Sequence, residues 1–353
     1  MQSKMKFGTR CLVSAAVVAS LAGAAWLPSA FAASASATDN VAVDQVEAQA
    51  RDSWREAIAH TATPAEGCFH ASYPSIVWQP MACKVAPVRY QPPPRRLNKV
   101  KPETTGDGND YAISVSGLIS QTVGSFPSVT GVKSEKGVGV ASFGGGGILG
   151  PNEYTLQINS SLEQQTTAAC KSHSGCTIWQ QYVYSPDYNV QGEAAVFIEY
   201  WLIGYGSSCP SGWESDGGGD CVKNSAATTA PDVPITQLAS LKLTGTAKSG
   251  GNDTAVFTDG TEAYTLTAKD SVLYLGTVWN ESEFNVVGNA GGSEAVFNTG
   301  SSVTVKVAVT DGSTATPSCL SGAGSTGESN NLNLGSCTKA GGSTPYIQFT
   351  ESN

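Results

Sequence analysis

Two short segments of the chain combine acidic and amide side chains with aromatic residues. Residues 179–184 read WQQYVY and residues 197–201 read FIEYW. A carboxyl group beside aromatic rings loses contact with water, which raises its pKa and suits it to general acid–base work. A side-chain amide nearby can donate to a developing oxyanion. The pattern predicts Glu199 as a general base and either Gln180 or Gln181 as the oxyanion donor.

The period of a β-strand assigns these side chains to faces. Alternation puts Phe197, Glu199 and Trp201 on one face of a predicted strand, with Ile198 and Tyr200 on the other. The alternative to a catalytic interpretation is a strand whose polar face is simply solvated, as in many sandwiches.

Other residues near these segments extend the candidate site. Residues 279–284 form a second patch of acidic and aromatic residues, in which Glu283 is a reserve catalytic carboxylate. The alternative interpretation of this patch is the end of a strand. The rings of Trp179, Trp201 and Tyr205 are predicted to bind substrate. For each ring the alternative is packing in the apolar core.

Other kinds of active site find little support. The three histidines are His60, His70 and His173, and neither H-E-x-x-H nor G-x-S-x-G occurs. Residues 107–110 and 216–220 are rich in oxygen ligands for calcium, but solvated acidic turns are the favoured interpretation because neither has a helix-loop-helix spacing. We expect no metal and no cofactor.

The nine cysteines indicate the compartment in which the protein folds. Cys11 lies in an apolar leader, and the others form neighbouring couples. Closely spaced cysteines in even number behind an export signal are typical of disulfides formed outside the cytoplasm. We predict local disulfides joining Cys68 to Cys83, Cys170 to Cys176, Cys209 to Cys221, and Cys319 to Cys337.

Residues 1–32 have the pattern of a signal peptide. Lys4, Lys6 and Arg10 precede a mostly apolar stretch that ends in a small-x-small cleavage site at residues 30–32. We therefore expect a secreted or periplasmic protein. A membrane anchor is the less favoured alternative, because the apolar run is marginal in length for a span.

The charge balance limits the partners. The formal net charge is −9, and from residue 172 onward there are six basic against seventeen acidic residues. An acidic chain is poorly suited to nucleic acid or to an anionic membrane surface, so we expect neither as a partner. An extracellular polypeptide or glycan is the expected substrate.

The predicted organisation has three parts. After the signal peptide, residues 33–103 form an N-terminal segment with a helix at 41–60, a disulfide-closed loop and a basic, proline-rich linker that contains Arg95 and Arg96. This segment is a possible pro-segment, whose basic linker would cover the acidic domain. Residues 104–353 are predicted to form the main domain.

The main domain has the pattern of an all-β fold. Short apolar–polar alternations are separated by turn signals, which predicts an antiparallel β-sandwich, jelly-roll-like, preceded by the short helical N-terminal segment. Turn signals at 249–252 and 299–300 predict two hairpins. The predicted strands are 111–119, 153–159, 179–184, 194–205, 241–247, 254–257, 263–267, 295–298, 302–309 and 346–350.

The chain resembles a family of uncharacterised secreted proteins of bacteria and fungi across nearly the whole mature sequence. The motifs that carry the resemblance are at 67–69, 73–74, 108–111, 179–181, 199–203, 209–213 and 350–353.

More remotely, residues 179–184 together with 197–201 are similar to glutamic peptidases of the eqolisin and neprosin types. That similarity implies a β-sandwich in which a Glu–Gln or Glu–Glu pair activates water in acid. On this resemblance Gln180 matches the glutamine motif, Glu199 the glutamate motif, and Glu283 the second neprosin glutamate. The leading hypothesis is a secreted, acid-active glutamic endopeptidase. The alternative is a non-catalytic sandwich that binds glycans or a cell surface, and a third hypothesis is a structural or defensive surface protein.

Overall fold

A computed structural model of the protein describes residues 37–86, 110–141, 144–161, 165–187, 192–321 and 328–353. The predicted signal peptide and most of the basic linker lie outside these residues. Residues from Val46 onward belong to one compact unit, and the described residues before Val46 belong to another. Helix α1 spans Ala37–Ala59, and the short 3-10 helices are Ala168–Cys170, Ile235–Ser240, Asp270–Val272 and Leu275–Thr277.

The strands of the first large sheet are β1 (Gly67–Ser72), β2 (Gln79–Met81), β5 (Gln121–Thr130), β14 (Leu241–Thr246), β15 (Asn252–Asp259), β16 (Glu262–Lys269), β19 (Ser302–Thr310), β22 (Asn333–Leu334), β23 (Thr338–Ala340) and β24 (Tyr346–Ser352). Their order across the sheet is β2-β1-β16-β15-β14-β5-β19-β24-β22, and β23 also pairs with β24. All of these ladders are antiparallel.

The strands of the second large sheet are β3 (Lys84–Val85), β4 (Tyr111–Ser114), β8 (Tyr154–Ser160), β9 (Thr177–Ser185), β10 (Ala195–Ile203), β11 (Glu214–Ser215), β12 (Cys221–Asn224), β13 (Ala226–Thr229), β17 (Glu281–Gly288) and β20 (Ser318–Ser321). Their order across the sheet is β11-β12-β10-β9-β8-β17-β4-β20, and β13 pairs with both β10 and β3. A small third sheet contains β6 (Glu135–Gly139), β7 (Gly150–Pro151), β18 (Ser293–Phe297) and β21 (Glu328–Asn330).

The two large sheets share one apolar core, which gives the molecule a sandwich-like, mostly antiparallel β architecture. The first sheet contributes buried side chains such as Phe257, and the second contributes Tyr182 and Tyr184. The rings of Tyr184 and Phe257 stack with centroids 3.8 Å apart. Gly124 in β5 lies so close to the ring of Phe284 in β17 that a Cβ there would be 2.1 Å from it. The close approach of the sheets therefore requires a glycine at this position.

The second unit includes the part of α1 that begins at Val46, and this part packs on the first sheet. Trp54 and Ile58 are buried against Phe69 and Val256. The Trp54 indole donates to the carbonyl of Ser75 at 2.8 Å, so the buried ring keeps its hydrogen bond. Strand β1 pairs with β16 over six residues. Residues 46–81 of the predicted N-terminal segment are thus part of the packed structure.

The predicted disulfides are confirmed. Cys68 bonds to Cys83, Cys170 to Cys176, Cys209 to Cys221, and Cys319 to Cys337. Each closes a loop of 6 to 18 residues, so each constrains a local segment. No helix of the described residues is long and apolar enough to cross a membrane.

One of the two predicted hairpins is confirmed and the other is wrong. Strands β14 and β15 pair across the turn at 249–252. Strands β18 and β19 do not pair with each other, because β18 joins the third sheet and β19 lies between β5 and β24 in the first. The Thr299-Gly300 turn therefore passes the chain from one sheet to another, which a local turn signal does not distinguish from a hairpin.

We predict that the chain still assembles when it is interrupted in the basic linker. Fragments 33–95 and 96–353 should copurify when they are coexpressed, because β1 pairs with β16 and α1 packs in an apolar cluster with Val256. The disulfide Cys68–Cys83 lies within the first fragment, so these noncovalent contacts must hold the two fragments together. The change Trp54→Ala should weaken copurification, because the loss of the buried ring should cost about 3 kcal/mol or more of association free energy. Glu47→Gln, at a half-exposed position of α1, serves as the control. Failure of the unmodified fragments to associate would contradict this account of β1.

Candidate functional site

The register of the second sheet aligns five polar side chains on five neighbouring strands. Asn224 in β12 lies opposite Glu199 in β10, Glu199 lies opposite Gln181 in β9, Gln181 opposite Asn159 in β8, and Asn159 opposite Glu283 in β17. Residues directly opposite one another in a sheet share a face. We call this line of side chains the polar row. It brings together Glu199, Gln181 and Glu283, which lie far apart in the sequence.

The polar row lies on the face of the sheet that points away from the shared core. The alternate residues of the same strands, such as Ile158, Tyr182 and Ile198, belong to that core. One face of the sheet therefore packs in the apolar core and the other carries the polar row, although every residue of β8 and β10 is buried. The expectation of a solvated polar face does not describe Glu199, which is only 3% exposed.

Gln180 is on the core side of β9. Its amide Nε2 donates to Asp253 Oδ2 at 2.8 Å and to the Tyr182 hydroxyl at 2.9 Å. The structure therefore does not bring Gln180 to Glu199. Of the two candidate oxyanion donors, only Gln181 shares a face with the candidate base.

An indole connects the carboxyl and amide at the centre of the row. Trp201 Nε1 donates to Glu199 Oε1 at 2.8 Å and to Gln181 Oε1 at 3.2 Å. Gln181 Nε2 in turn donates to Gln157 Oε1 at 2.9 Å. These bonds hold the carboxyl and the amide in fixed orientations. Because an amide NH₂ carries two hydrogens, Gln181 Nε2 retains donor capacity beyond the bond to Gln157.

A small cavity lies beside Glu199 and Gln181. Its volume is about 20 Å³, and its wall also includes Gln157, Asn224 and Asn289. A cavity of this size holds about one water molecule, provided that polar partners line it. The carboxyl of Glu199 and the amide of Gln181 are such partners. The arrangement therefore has room for one water in a cavity that both the candidate base and the candidate oxyanion donor line.

The environment of Glu199 changes its protonation. Burial raises its pKa from 4.5 to about 7, while hydrogen bonds from Trp201 and Asn224 act in the opposite direction. Desolvation penalises the ionised form, and here it outweighs the donors. A pKa of this size places Glu199 among carboxyl groups that can exchange a proton near neutral pH.

At the far end of the row, Glu283 is completely buried. Asn159 Nδ2 lies 3.4 Å from Glu283 Oε2, so the second carboxyl is also next to an amide. Since neighbouring strands are about 4.8 Å apart, Glu283 lies three strand spacings, or roughly 14 Å, from Glu199. The two carboxyls thus occupy separate positions along the row and do not share one water.

The aromatic residues predicted to bind substrate are buried. Trp179 and Trp201 lie side by side, with ring centroids 6.0 Å apart, and pack with Ile203 and Val222. Tyr205 stacks on His173 at 3.8 Å. Trp179 Nε1 has no hydrogen-bond acceptor among the described residues. None of these rings presents a free face to solvent in this state of the chain.

Sequence reasoning missed several residues of the row. Asn159, Gln157 and Asn224 all lie on it or on its cavity, and none was a candidate. The clean alternation of residues 153–159 contained the signal, because it placed polar side chains at every second position of a predicted strand. The predicted solvated turn at residues 107–110 is wrong for Asp110, which is 1% exposed. Among the described residues, no group of three or more acidic, histidine or cysteine residues is arranged to hold a metal ion.

Comparison of the chain with protein-family models, with curated proteins and with solved structures found no match.

We predict that the protein is more stable in acid than in alkali. Burial raises the pKa of Glu135, Glu153 and Asp253 to about 8 and that of Glu199 to about 7. A carboxyl whose pKa is raised by folding adds stability that is complete below its unfolded pKa, near 4, and is lost as pH rises through its folded pKa. The free energy of unfolding should therefore fall between pH 5 and pH 9.

Denaturant unfolding across this pH range checks the prediction. The variant Glu135→Gln cannot ionise and should flatten the pH dependence, whereas Glu47→Gln on the exposed face of α1 should leave it unchanged. A free energy of unfolding that rises from pH 5 to pH 9 would contradict the raised pKa values.

Proposed function

We propose that the protein is a secreted hydrolase of the glutamic type, an endopeptidase that cleaves extracellular polypeptides in acid. The observation that carries the proposal is the pairing of Glu199 with Gln181, on one face of two adjacent strands, beside a cavity with room for one water. Secretion, a jelly-roll arrangement of the sandwich and the remote likeness to glutamic peptidases belong to the same proposal. The local disulfides support an oxidising compartment.

In the proposed reaction, Glu199 acts first as a base and then as an acid. Its carboxylate takes a proton from the water, and the water oxygen attacks the carbonyl carbon of the peptide bond. Gln181 Nε2 donates to the oxyanion of the tetrahedral intermediate. Glu199 then gives the proton to the amide nitrogen while the C–N bond breaks and the oxyanion re-forms a carbonyl, so that an acid and an amine are released and the Glu199 carboxyl ends ionised as it began. Trp201 holds the carboxyl of Glu199 and the amide of Gln181 beside each other through its hydrogen bonds to both.

Access to the row controls both binding and protonation. Glu199 and Gln181 are buried, so no polypeptide reaches them until the row is uncovered. With its pKa near 7, the covered Glu199 is protonated in acid and is not a base. Uncovering admits water, removes part of the desolvation penalty, and lowers the pKa toward the ordinary 4.5. The same event therefore opens the site and ionises its base in mildly acidic solution.

The N-terminal segment is the proposed cover. Its last described residue, Ala86, packs against Val183 and Phe197. These two residues form the next cross-strand pair on the same face as Gln181 and Glu199, two residues along each strand. Strand β3, just before Ala86, pairs with β13 at the edge of β10. These contacts support a pro-segment role for residues 33–103. Arg95 and Arg96 would then be the processing site in its linker.

We predict that Glu199→Gln abolishes hydrolysis of a protein substrate between pH 3 and pH 8. Glutamine cannot accept the proton, so the loss should be about 10² to 10⁴ in kcat/KM. Gln181→Ala should cost about 10² to 10³, as expected for one oxyanion donor. Digestion of a denatured protein, followed by mass spectrometry of the peptides, measures both.

The control is Glu193→Gln, which removes an exposed carboxyl that pairs only loosely with Lys84. It should leave the activity within about twofold, since exposed pairs contribute little. Undiminished activity of a folded Glu199→Gln protein would exclude Glu199 as the base.

We also predict that acid triggers cleavage within residues 87–109. Intact mass analysis after incubation at pH 5.5, where an uncovered Glu199 with a pKa near 4.5 is ionised, should show a cut chain for the wild-type protein and an uncut chain for Glu199→Gln. Mixing the variant with processed wild-type protein distinguishes self-cleavage within one molecule from cleavage between molecules. Equal processing of both proteins alone would show that another protease makes the cut.

The alternative, a secreted sandwich that binds glycans, is tested in the same preparations. Sugar stacking would use the faces of Trp179, Trp201 and Tyr205, which are covered in this state. Binding to insoluble polysaccharide by an inactive protein, lost on Trp201→Ala, would favour this alternative.

A further inference from the structure

Strand β13 pairs with β10 on one side and with the short strand β3 on the other. The ladder to β3 has only two residue pairs, formed by Lys84 and Val85. In addition, Thr228 Oγ1 of β13 donates to the carbonyl of Thr265 in the first sheet at 2.8 Å, so β13 is fixed without the help of β3. If β3 leaves, β13 therefore becomes an edge strand whose outer backbone groups are free to pair with another chain.

The residue after β3 fills a small apolar patch on the second sheet. Ala86 clusters there with Val183, Ala195, Phe197 and Ala227, and we call these four neighbours the Ala86 patch. Ala86 is 8% exposed, whereas the residue before it is 90% exposed. The patch thus encloses a single methyl group, and a larger side chain would meet neighbours that are themselves packed. The patch therefore favours a small residue.

Strand direction sets the order in which a bound chain meets the Ala86 patch and the candidate site. β3 is antiparallel to β13, and β13 is antiparallel to β10, so β3 runs in the same direction as β10. β10 leads from Phe197 in the patch to Glu199, a step of two residues or about 6.8 Å of extended backbone. A polypeptide that takes the path of β3 and continues in that direction reaches the cavity beside Glu199 about two residues after the patch.

The hold of the protein on β3 is weak. Two residue pairs and one buried methyl group attach it to the second sheet, and short segments with so few buried contacts open at low free energy. Cys83, directly before β3, is bonded to Cys68 in β1, so the released segment stays attached to the protein. Release of β3 therefore exposes β13 and the Ala86 patch while β1 keeps its place in the first sheet.

We propose that β13 and the Ala86 patch form a docking site for an extended polypeptide that carries a small residue: alanine, glycine or serine. The polypeptide adds to β13 as a strand in the place of β3 and sets its small side chain in the place of Ala86. In the peptidase, the small residue lies about two positions before the bond that is cleaved. β3 is then an internal competitor of the substrate. The part of the site in hydrolysis rests on the proposed function, whereas the docking of a polypeptide does not.

The fit of Ala86 is tested by amide hydrogen exchange within β13, in the full chain carrying Glu199→Gln so that no cleavage intervenes. Ala86→Leu should speed this exchange about tenfold or more, because overpacking of the patch releases β3. Val85→Leu, at the exposed neighbouring position, is the matched control and should leave the exchange unchanged. Adding Val183→Ala to Ala86→Leu enlarges the patch and should restore most of the protection. Unchanged exchange in Ala86→Leu would overturn the proposal.

Docking of a separate polypeptide is measured on the protein with both Glu199→Gln and Ala86→Leu. The probe is a synthetic peptide of residues 79–88 with Cys83→Ser, added at millimolar concentration. It should slow amide exchange within β13, whereas the same peptide with Ala86→Leu should bind about tenfold more weakly or worse. Equal protection by the two peptides, or protection by neither, would count against the docking site.

Cleavage preference provides the readout in hydrolysis. A digest of denatured proteins, sequenced by mass spectrometry, should show alanine, glycine and serine enriched about tenfold at one position, about two residues before the cut. Val183→Ala should shift that preference toward valine and leucine. Leu118→Ala, which changes an exposed apolar residue outside the patch, should keep the wild-type preference.

The two proposals fail in different ways. If the wild-type protein has no peptidase activity but the peptide protects β13 and its Ala86→Leu form does not, the proposed function falls and the docking site stands. If the protein is active but its cuts show no preference for a small residue, or a preference that Val183→Ala leaves unchanged, the docking site is excluded while the proposed function stands.

Discussion

The register of the second sheet is the constraint on which the candidate site depends. A shift of one residue in any of the ladders between β12, β10, β9, β8 and β17 would turn a polar side chain into the core and an apolar one out of it. The apolar alternates of these strands fill the core shared with the first sheet. Core packing therefore enforces the alignment of the polar row, and the close approach of the sheets at Gly124 and Phe284 holds β17 in place.

Burial gives this row its chemical character. A carboxyl in water beside the same neighbours would be ionised in mild acid, but Glu199 has its pKa raised to about 7 by desolvation. Hydrogen bonds from the Trp201 indole and the Asn224 amide limit this penalty, and the further bond from the indole to Gln181 fixes the geometry. A buried polar network costs free energy of folding unless its members form hydrogen bonds with one another. Buried groups with shifted pKa values are concentrated at functional sites, which is why this row is the candidate site.

Part of this arrangement follows from sequence, because local periodicity and spacing determine it. Alternation places Glu199 and Trp201 on one face of β10, and short cysteine spacings predict the disulfides. Pairing between distant strands is different: nothing local relates Glu283 to Asn159, or shows that Gln181 rather than Gln180 meets Glu199. The same limit explains the wrong hairpin at Thr299-Gly300 and the misplacement of Asp110, whose burial depends on β17 and β24.

The central claim is that Glu199 is a desolvated, proton-exchanging carboxyl beside Gln181. The most direct measurement is the ionisation of this one carboxyl, followed by ¹³C resonance in the full chain and assigned with Glu199→Gln. The account predicts a midpoint near pH 7. A midpoint near pH 4.5, the value of a solvated glutamate, would mean that Glu199 is open to water and would contradict the account.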